Sequence, residues 1–353
     1  MDSRAQTAVQ LRDQAEWCGL MGSPLYESLL QQAAADVDAG GPTWRVLEPH
    51  AGPGRGAALA LRFMAAVHRL VLTGAAPELA RHYPSVGGRP GTDAWSAFHG
   101  LLAAQGDAVS ALVAHPCQTN EVGRCAALVF GFLEVAHALR LPLRLLEVGA
   151  SAGLGLRWDG FAFGVSRDPG SARWGDPASP VDLTGLWDEP PLHLDPPVQV
   201  VERRGCDLHP LDPAREEDRL RLRCSVWADQ DERFQRLQGA LELAARVPAA
   251  LDQAALGAWL PARLAEAREG VTTVVYHSVV EEYLPAAELL GFQSTMEEAG
   301  ARAHASAPLA WVRLEPYPGE RRHRLTLQMW PGGPRRPIAS CGSHGSGTRR
   351  FVS

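Results

Sequence analysis

The sequence predicts an α/β chain in two parts. Residues 1–140 form a helical region, and residues 141–353 form a mostly parallel sheet with helices on both faces and an antiparallel hairpin at its end. Three observations predict this. Apolar residues recur at helical spacing through the first part, with almost no strand-like run. From Leu141 onward, short apolar runs rich in β-branched residues alternate with helical segments. The last two runs are separated only by the polar turn 315–323, too short for a crossover helix.

Taken in order, 5–17 is amphipathic, Ser23-Pro24 offers a cap and a first-turn proline, and 25–37 continues at helical spacing. After the loop 40–56, residues 57–72 are apolar enough for a buried helix, and further helices are expected over 93–105, 108–114 and 121–140. Only 44–47 reads as a strand in this half. In the second half the strand-like runs are 143–148, 198–201, 220–226, 271–276, 309–314 and 324–329, with helices over 231–246, 256–268 and 286–303. The stretch 158–197, rich in Gly, Pro and Asp and carrying Trp158, Trp174 and Trp187, breaks the alternation and reads as an irregular or hairpin-containing insertion over the site.

Composition narrows the chemistry. The 353 residues carry a formal charge of −6, which argues against a general nucleic-acid binder. No run approaches the ~18 consecutive apolar residues of a membrane span, and the polar N-terminus lacks the order of a signal peptide, so a cytoplasmic protein is expected. The six cysteines are scattered without a Cys-x-x-Cys pair, so neither a disulfide framework nor a metal site is expected. All 34 basic residues are arginine. The missing lysine excludes a standard phosphate-loop ATPase, a Schiff-base enzyme, and the Tyr-x-x-x-Lys pair of short-chain dehydrogenases.

The sharpest motif is 145–155, LLEVGASAGLG: an apolar strand, an acidic residue, a turn of small residues and a helix start. Small residues let a cofactor approach the backbone, and a helix N-terminus offers free N–H groups. The string permits three chemistries. In the first, Gly149, Ser151 and Gly153 cradle S-adenosylmethionine while Glu147 faces its amino group. In the second it is a dinucleotide fingerprint. In the third, Gly149-Ala150-Ser151-Ala152-Gly153 is the Gly-x-Ser-x-Gly elbow of an α/β-hydrolase with Ser151 as nucleophile, and His50-Ala51-Gly52-Pro53-Gly54 echoes an oxyanion loop. A hydrolase elbow follows several strands, whereas here a helical half precedes it, so context favours the first reading. A parallel sheet closed by a hairpin is also the class I methyltransferase architecture. The earlier Gly52-Pro53-Gly54-Arg55-Gly56 reads as a decoy, with a proline inside the turn.

Downstream positions extend this reading. Asp207, after the second run, is the candidate for holding ribose hydroxyls; Asp168 has the more usual spacing of ~20 residues but a weak strand before it. Asp229 and Trp227, at the end of 220–226, are candidates for the adenine, with a helix cap as the alternative role of Asp229. His277, after the fourth run, is the candidate general base, or else a structural histidine. Ser278, Glu281 and the polar segment Asn120, Glu121 and Arg124 are candidates for the substrate side.

The segments AVHRLVLTGAAPELARHYPS, QTNEVGRCAAL, LRLLEVGASAGLGLRWD, WGDPASPV, VVERRGCDLHPLDP, VWADQDER, VVYHSVVEEYLP, LAWVRLEP and WPGG resemble, in order, the largely actinobacterial domain of unknown function 2332. The resemblance runs from about residue 57 to 333 and implies no reaction. Gly155 departs from it, standing where asparagine is expected. The expected function is a methyltransferase acting on a small molecule. An esterase-like hydrolase and a non-catalytic cofactor-binding scaffold are the alternatives.

Overall fold

The computed structural model describes residues 2–52 and 58–351, and divides into two compact units. The first comprises 1–119 and 215–235, the second 120–214 and 236–353. The glycine-rich decoy at 52–56 therefore lies largely outside the described residues, as do Pro53 and Gly54 of the oxyanion-loop echo.

The first unit is helical: α1 (Ser3–Leu20), α2 (Pro24–Asp38), α3 (Pro42–Leu47), α4 (Leu59–Leu72), α5 (Pro77–Ala80), α6 (Ala94–Val113) and, from the later segment, α8 (Glu216–Cys224). Pro24, Pro42 and Pro77 each open a helix, where a missing N–H costs nothing. Leu11, Leu29, Leu30, Phe63, Val67 and Phe98 are among the side chains closing its core. Residues 93–105 and 108–114 form one helix, α6, kinked at Gln105.

Two expectations fail here. Residues 44–47 are helical, because Pro42 starts a turn that the short run continues as α3. Residues 220–226 are no strand: Leu220 to Cys224 close α8. Leu and Arg alternate there with a strand-like period, but Glu216, Glu217 and Asp218 in the first turn and Arg221 and Arg223 in the last suit the helix dipole.

The second unit is α/β. Its main sheet holds β1 (Leu143–Val148), β5 (Val200–Asp207), β6 (Ala250–Gln253), β7 (Thr272–Ser278), β8 (Leu309–Pro316), β9 (His323–Trp330), β10 (Arg336–Cys341) and β11 (Arg349–Arg350), in the order β11-β10-β9-β8-β7-β1-β5-β6. The five strands from β6 to β8 are parallel. The expected hairpin is present as β8 against β9, and β10 and β11 extend it as an antiparallel meander. The edge strand β6 carries no strand signal in the sequence, being four residues long and half polar.

The two faces have different covers. Leu146, Val148, Val275 and Trp311 pack with α10 (Leu256–Leu264) and α11 (Ala286–Arg302). The other face packs against α7 (Cys125–Leu139). A second, small sheet, β2 (Ala162–Gly164), β3 (Arg173–Trp174) and β4 (Asp182–Thr184), forms the insertion. It lies against α7 through Trp158 on Phe132 and Trp187 on Phe130, with the Trp187 indole donating to the Ala126 carbonyl at 2.8 Å. The insertion thus covers α7.

Enclosed on both sides, α7 is almost wholly apolar and carries its two polar side chains, Glu134 and His137, toward its C-terminal end. Val122–Leu139 is long and apolar enough to cross a membrane by length and composition, yet 72% of it is buried within the protein. This packing also explains why residues 120–140 belong with the sheet instead of the helical region. The remaining long helix, α9 (Asp231–Arg246), contains the boundary at residue 235.

Candidate functional site

Along the parallel strands the chain steps from β1 to β5 to β6, then returns to β7 on the other side of β1. Ligands of open α/β sheets bind outside the carboxyl ends of the strands at such a reversal. The motif 149–155 follows β1 at this position.

The turn is built from left-handed residues. Gly149, Ser151 and Gly153 have φ of +66°, +51° and +62°, and the non-glycine Ser151 needs outside support to hold that conformation. Asp207, at the end of β5, supplies it: its Oδ2 accepts the Ser151 N–H at 2.9 Å, and its Oδ1 accepts the His209 N–H at 2.9 Å. The Ala150 N–H donates to the Cys206 carbonyl at 3.0 Å. Each Asp207 oxygen keeps a lone pair for a further donor. Asp168, by contrast, is exposed within the insertion and bonded to Ser166.

The glycines are enclosed by the chain itself. A Cβ on Gly149 would meet Val280 Cγ2 at 2.6 Å, and one on Gly153 would meet Leu251 Cδ2 at 2.8 Å. The expected helix start is instead a 3-10 segment, Leu154–Gly160, so the turn does not open into a helix N-terminus. Leu154 and Trp158 in this stretch are fully buried, and the Arg157 guanidinium donates to the Gly153 carbonyl at 2.6 Å.

Glu147 sits on the α7 face of β1, beside Tyr276 in register on β7. Burial pushes its carboxyl up to about 8; Tyr276 and Arg157 pull the other way without overcoming it. Its Oε2 and the Tyr276 hydroxyl are buried without ordinary hydrogen bonds. Orphaned buried polar atoms beside a glycine turn fit a group that brings its own donors.

The polar segment before α7 reaches the same end of the sheet. Asn120 Oδ1 accepts the Leu154 N–H at 2.9 Å, and Glu121 accepts the Gly123 N–H at 3.1 Å. Arg124 donates to the Ser343 carbonyl at 3.1 Å and to the Ser278 carbonyl at 3.4 Å. Asn120, Arg124, Ser151, Asp207 and Ser278 thus gather around the ends of β1, β5 and β7.

His277 is fully buried near the end of β7. Its Nδ1 donates to Glu315 Oε1 at 2.6 Å, and its Nε2 accepts the Trp311 indole N–H at 3.2 Å. Both nitrogens are engaged, so the ring has none to offer an acceptor substrate in this state. Glu315 also accepts the Val280 N–H at 3.0 Å, just after Val279, whose φ of +57° is strained for a β-branched residue. The histidine and Glu315 brace this turn. Glu281, a substrate-side candidate, is paired with Arg313 at 2.5 Å. Glu315, Arg313, Trp311 and Tyr276 carry no local signal in the sequence, because their partners lie 32 to 129 residues away along the chain.

Trp227 and Asp229 require a correction. They do not follow a strand: the helix α8 runs to Cys224, and both residues lie in the turn after it, in the first unit. Trp227 is buried against Tyr26 in the helical core. Asp229 accepts the Leu25 N–H at 2.9 Å and the Ser23 hydroxyl at 2.5 Å. It therefore caps α2, whereas the sequence offered it as a ligand for adenine or as the cap of α9.

One family model, described as an uncharacterized protein conserved in bacteria (DUF2332), matches residues 8–349. No curated protein and no solved structure matches the chain.

Proposed function

The chain belongs to the bacterial family DUF2332, and we propose that this member is an S-adenosylmethionine-dependent methyltransferase acting on a small molecule. The observation that carries the reading is the contact between Asp207 Oδ2 and the Ser151 N–H. It joins an acidic residue at the end of the second parallel strand to the glycine turn of the first, beside the reversal of strand order.

In this reading the remaining lone pairs of Asp207 accept ribose hydroxyls. Gly149 and Gly153 give the turn its left-handed shape, and Glu147, once ionised, balances the positive amino group. When bound, the cofactor supplies an activated methyl group. The contribution expected of the protein is to orient the acceptor and exclude water, since positioning alone removes a large part of a bimolecular barrier. His277 acts as a brace in this scheme. A small acceptor is favoured over nucleic acid by the net charge of −6.

The test is calorimetric titration with S-adenosylhomocysteine. Micromolar-range binding is expected, weakened by about 10–100-fold in Asp207→Asn, the worth of one hydrogen bond to a charged group. Tight NADH binding with no response to S-adenosylhomocysteine would overturn the proposal.

A hydrolase is the second reading, favoured by the left-handed serine inside Gly-x-Ser-x-Gly. Against it, Ser151 Oγ is buried without a hydrogen-bond partner, and β1 is the first strand among the described residues. Stoichiometric labelling of Ser151 by a fluorophosphonate would establish it; no labelling is expected.

A further inference from the structure

Away from the glycine turn, the second unit gathers two imidazoles and two carboxylates at the C-terminal end of α7. Glu134 and His137 stand one turn apart on that helix. The segment between β4 and β5 brings His193 over His137, the rings parallel within 4° and their centroids 3.5 Å apart. Asp195 follows two residues later, and one donor atom from each of His137, His193 and Asp195 lies within 4.8 Å of the others. Glu134 Oε2 is 3.7 Å from His193 Nε2, while its other oxygen pairs with Arg336 at 2.5 Å.

We propose that His137, His193 and Asp195 form a zinc-type divalent metal site that fastens the 185–199 segment to α7. Imidazole nitrogen combined with carboxylate oxygen is a zinc ligand set, and three such protein donors with a water complete a four-coordinate site. The ligands come from two places far apart in sequence, so an ion here ties a long irregular segment to the most buried helix of the unit. Zinc–ligand distances of ~2.0–2.2 Å require the donors to draw together. The two histidines are half-buried and Asp195 is exposed, which leaves both room for that movement and a path for the ion. The cysteines do not compete, since five of the six are buried and none belongs to the cluster. The site is independent of the cofactor proposed above.

The experiment is titration of the metal-stripped full chain with Zn²⁺, and separately with Co²⁺, whose visible absorption reports tetrahedral coordination. One equivalent is expected to bind with micromolar or tighter affinity, raise Tm and give intense cobalt bands. His137→Ala and His193→Ala should each weaken binding by about 100-fold or more, beyond the 10–100-fold typical of losing an outer partner. Their Tm in chelator should equal that of the wild type in chelator. Absence of saturable one-to-one binding to the wild type overturns the proposal without reference to any variant. Binding that persists unchanged in the double variant does so as well.

Discussion

Glu147 shows how one buried carboxyl makes stability depend on pH. Its pKa in the folded protein is pushed up to about 8, against an ordinary value near 4.5. Between those values the unfolded chain has released a proton that the folded chain retains, so stability falls as pH rises through the window and levels off above it. Glu147→Gln removes that slope. The variant should melt close to wild type at about pH 5 and higher than wild type at about pH 8, by an amount equivalent to a few kcal/mol. Superimposable pH profiles would show that Glu147 is ionised in the fold. Asp229 makes a different residue-scale claim. Because it caps α2 from a distance, Asp229→Ala should cost about 1 kcal/mol of stability, read from denaturant midpoints. It should leave S-adenosylhomocysteine affinity unchanged. A loss of affinity at constant stability would return Asp229 to the ligand.

The turn after β7 is decided between elements. The pair His277–Glu315 joins the ends of β7 and β8, and Glu315 also holds the Val280 N–H. Glu315 lies below its usual range because the bonds from His277 and Val280 outweigh the cost of burial. His277→Asn and Glu315→Gln should therefore each lower Tm, by an amount equivalent to about 1.5–3 kcal/mol for a buried hydrogen bond to a charged group. In a double-mutant cycle they should be non-additive, because each removes the same contact. Independent, additive losses would mean that the two side chains do not act as one brace. The same residues explain the limits of sequence reading. His277 was legible as a polar residue ending an apolar strand. Glu315 lies 38 positions later in what reads as a turn, and only the pairing of β7 with β8 makes them neighbours. Period-two patterning likewise failed at 220–226, where alternating Leu and Arg lie on a helix whose charges favour its dipole.

At the scale of the whole chain, the sequence by itself determined the class of each half and most element positions. Apolar spacing of 3.6 or 2 residues is a local property that any packing must respect. It also determined the glycine turn, since left-handed backbone at Gly149 and Gly153 calls for residues without a Cβ. The tertiary structure decided which units the elements join. Residues 215–235 entered the helical unit, carrying Trp227 and Asp229 with them, and 120–140 joined the sheet as an enclosed helix. It also decided which polar groups meet: Asp207 with Ser151, Asn120 with Leu154, and His193 with His137. The physical reason is that a hydrogen bond or ring contact depends on distance in space. Residues 56 positions apart, such as Ser151 and Asp207, become neighbours only when β1 and β5 pair in register.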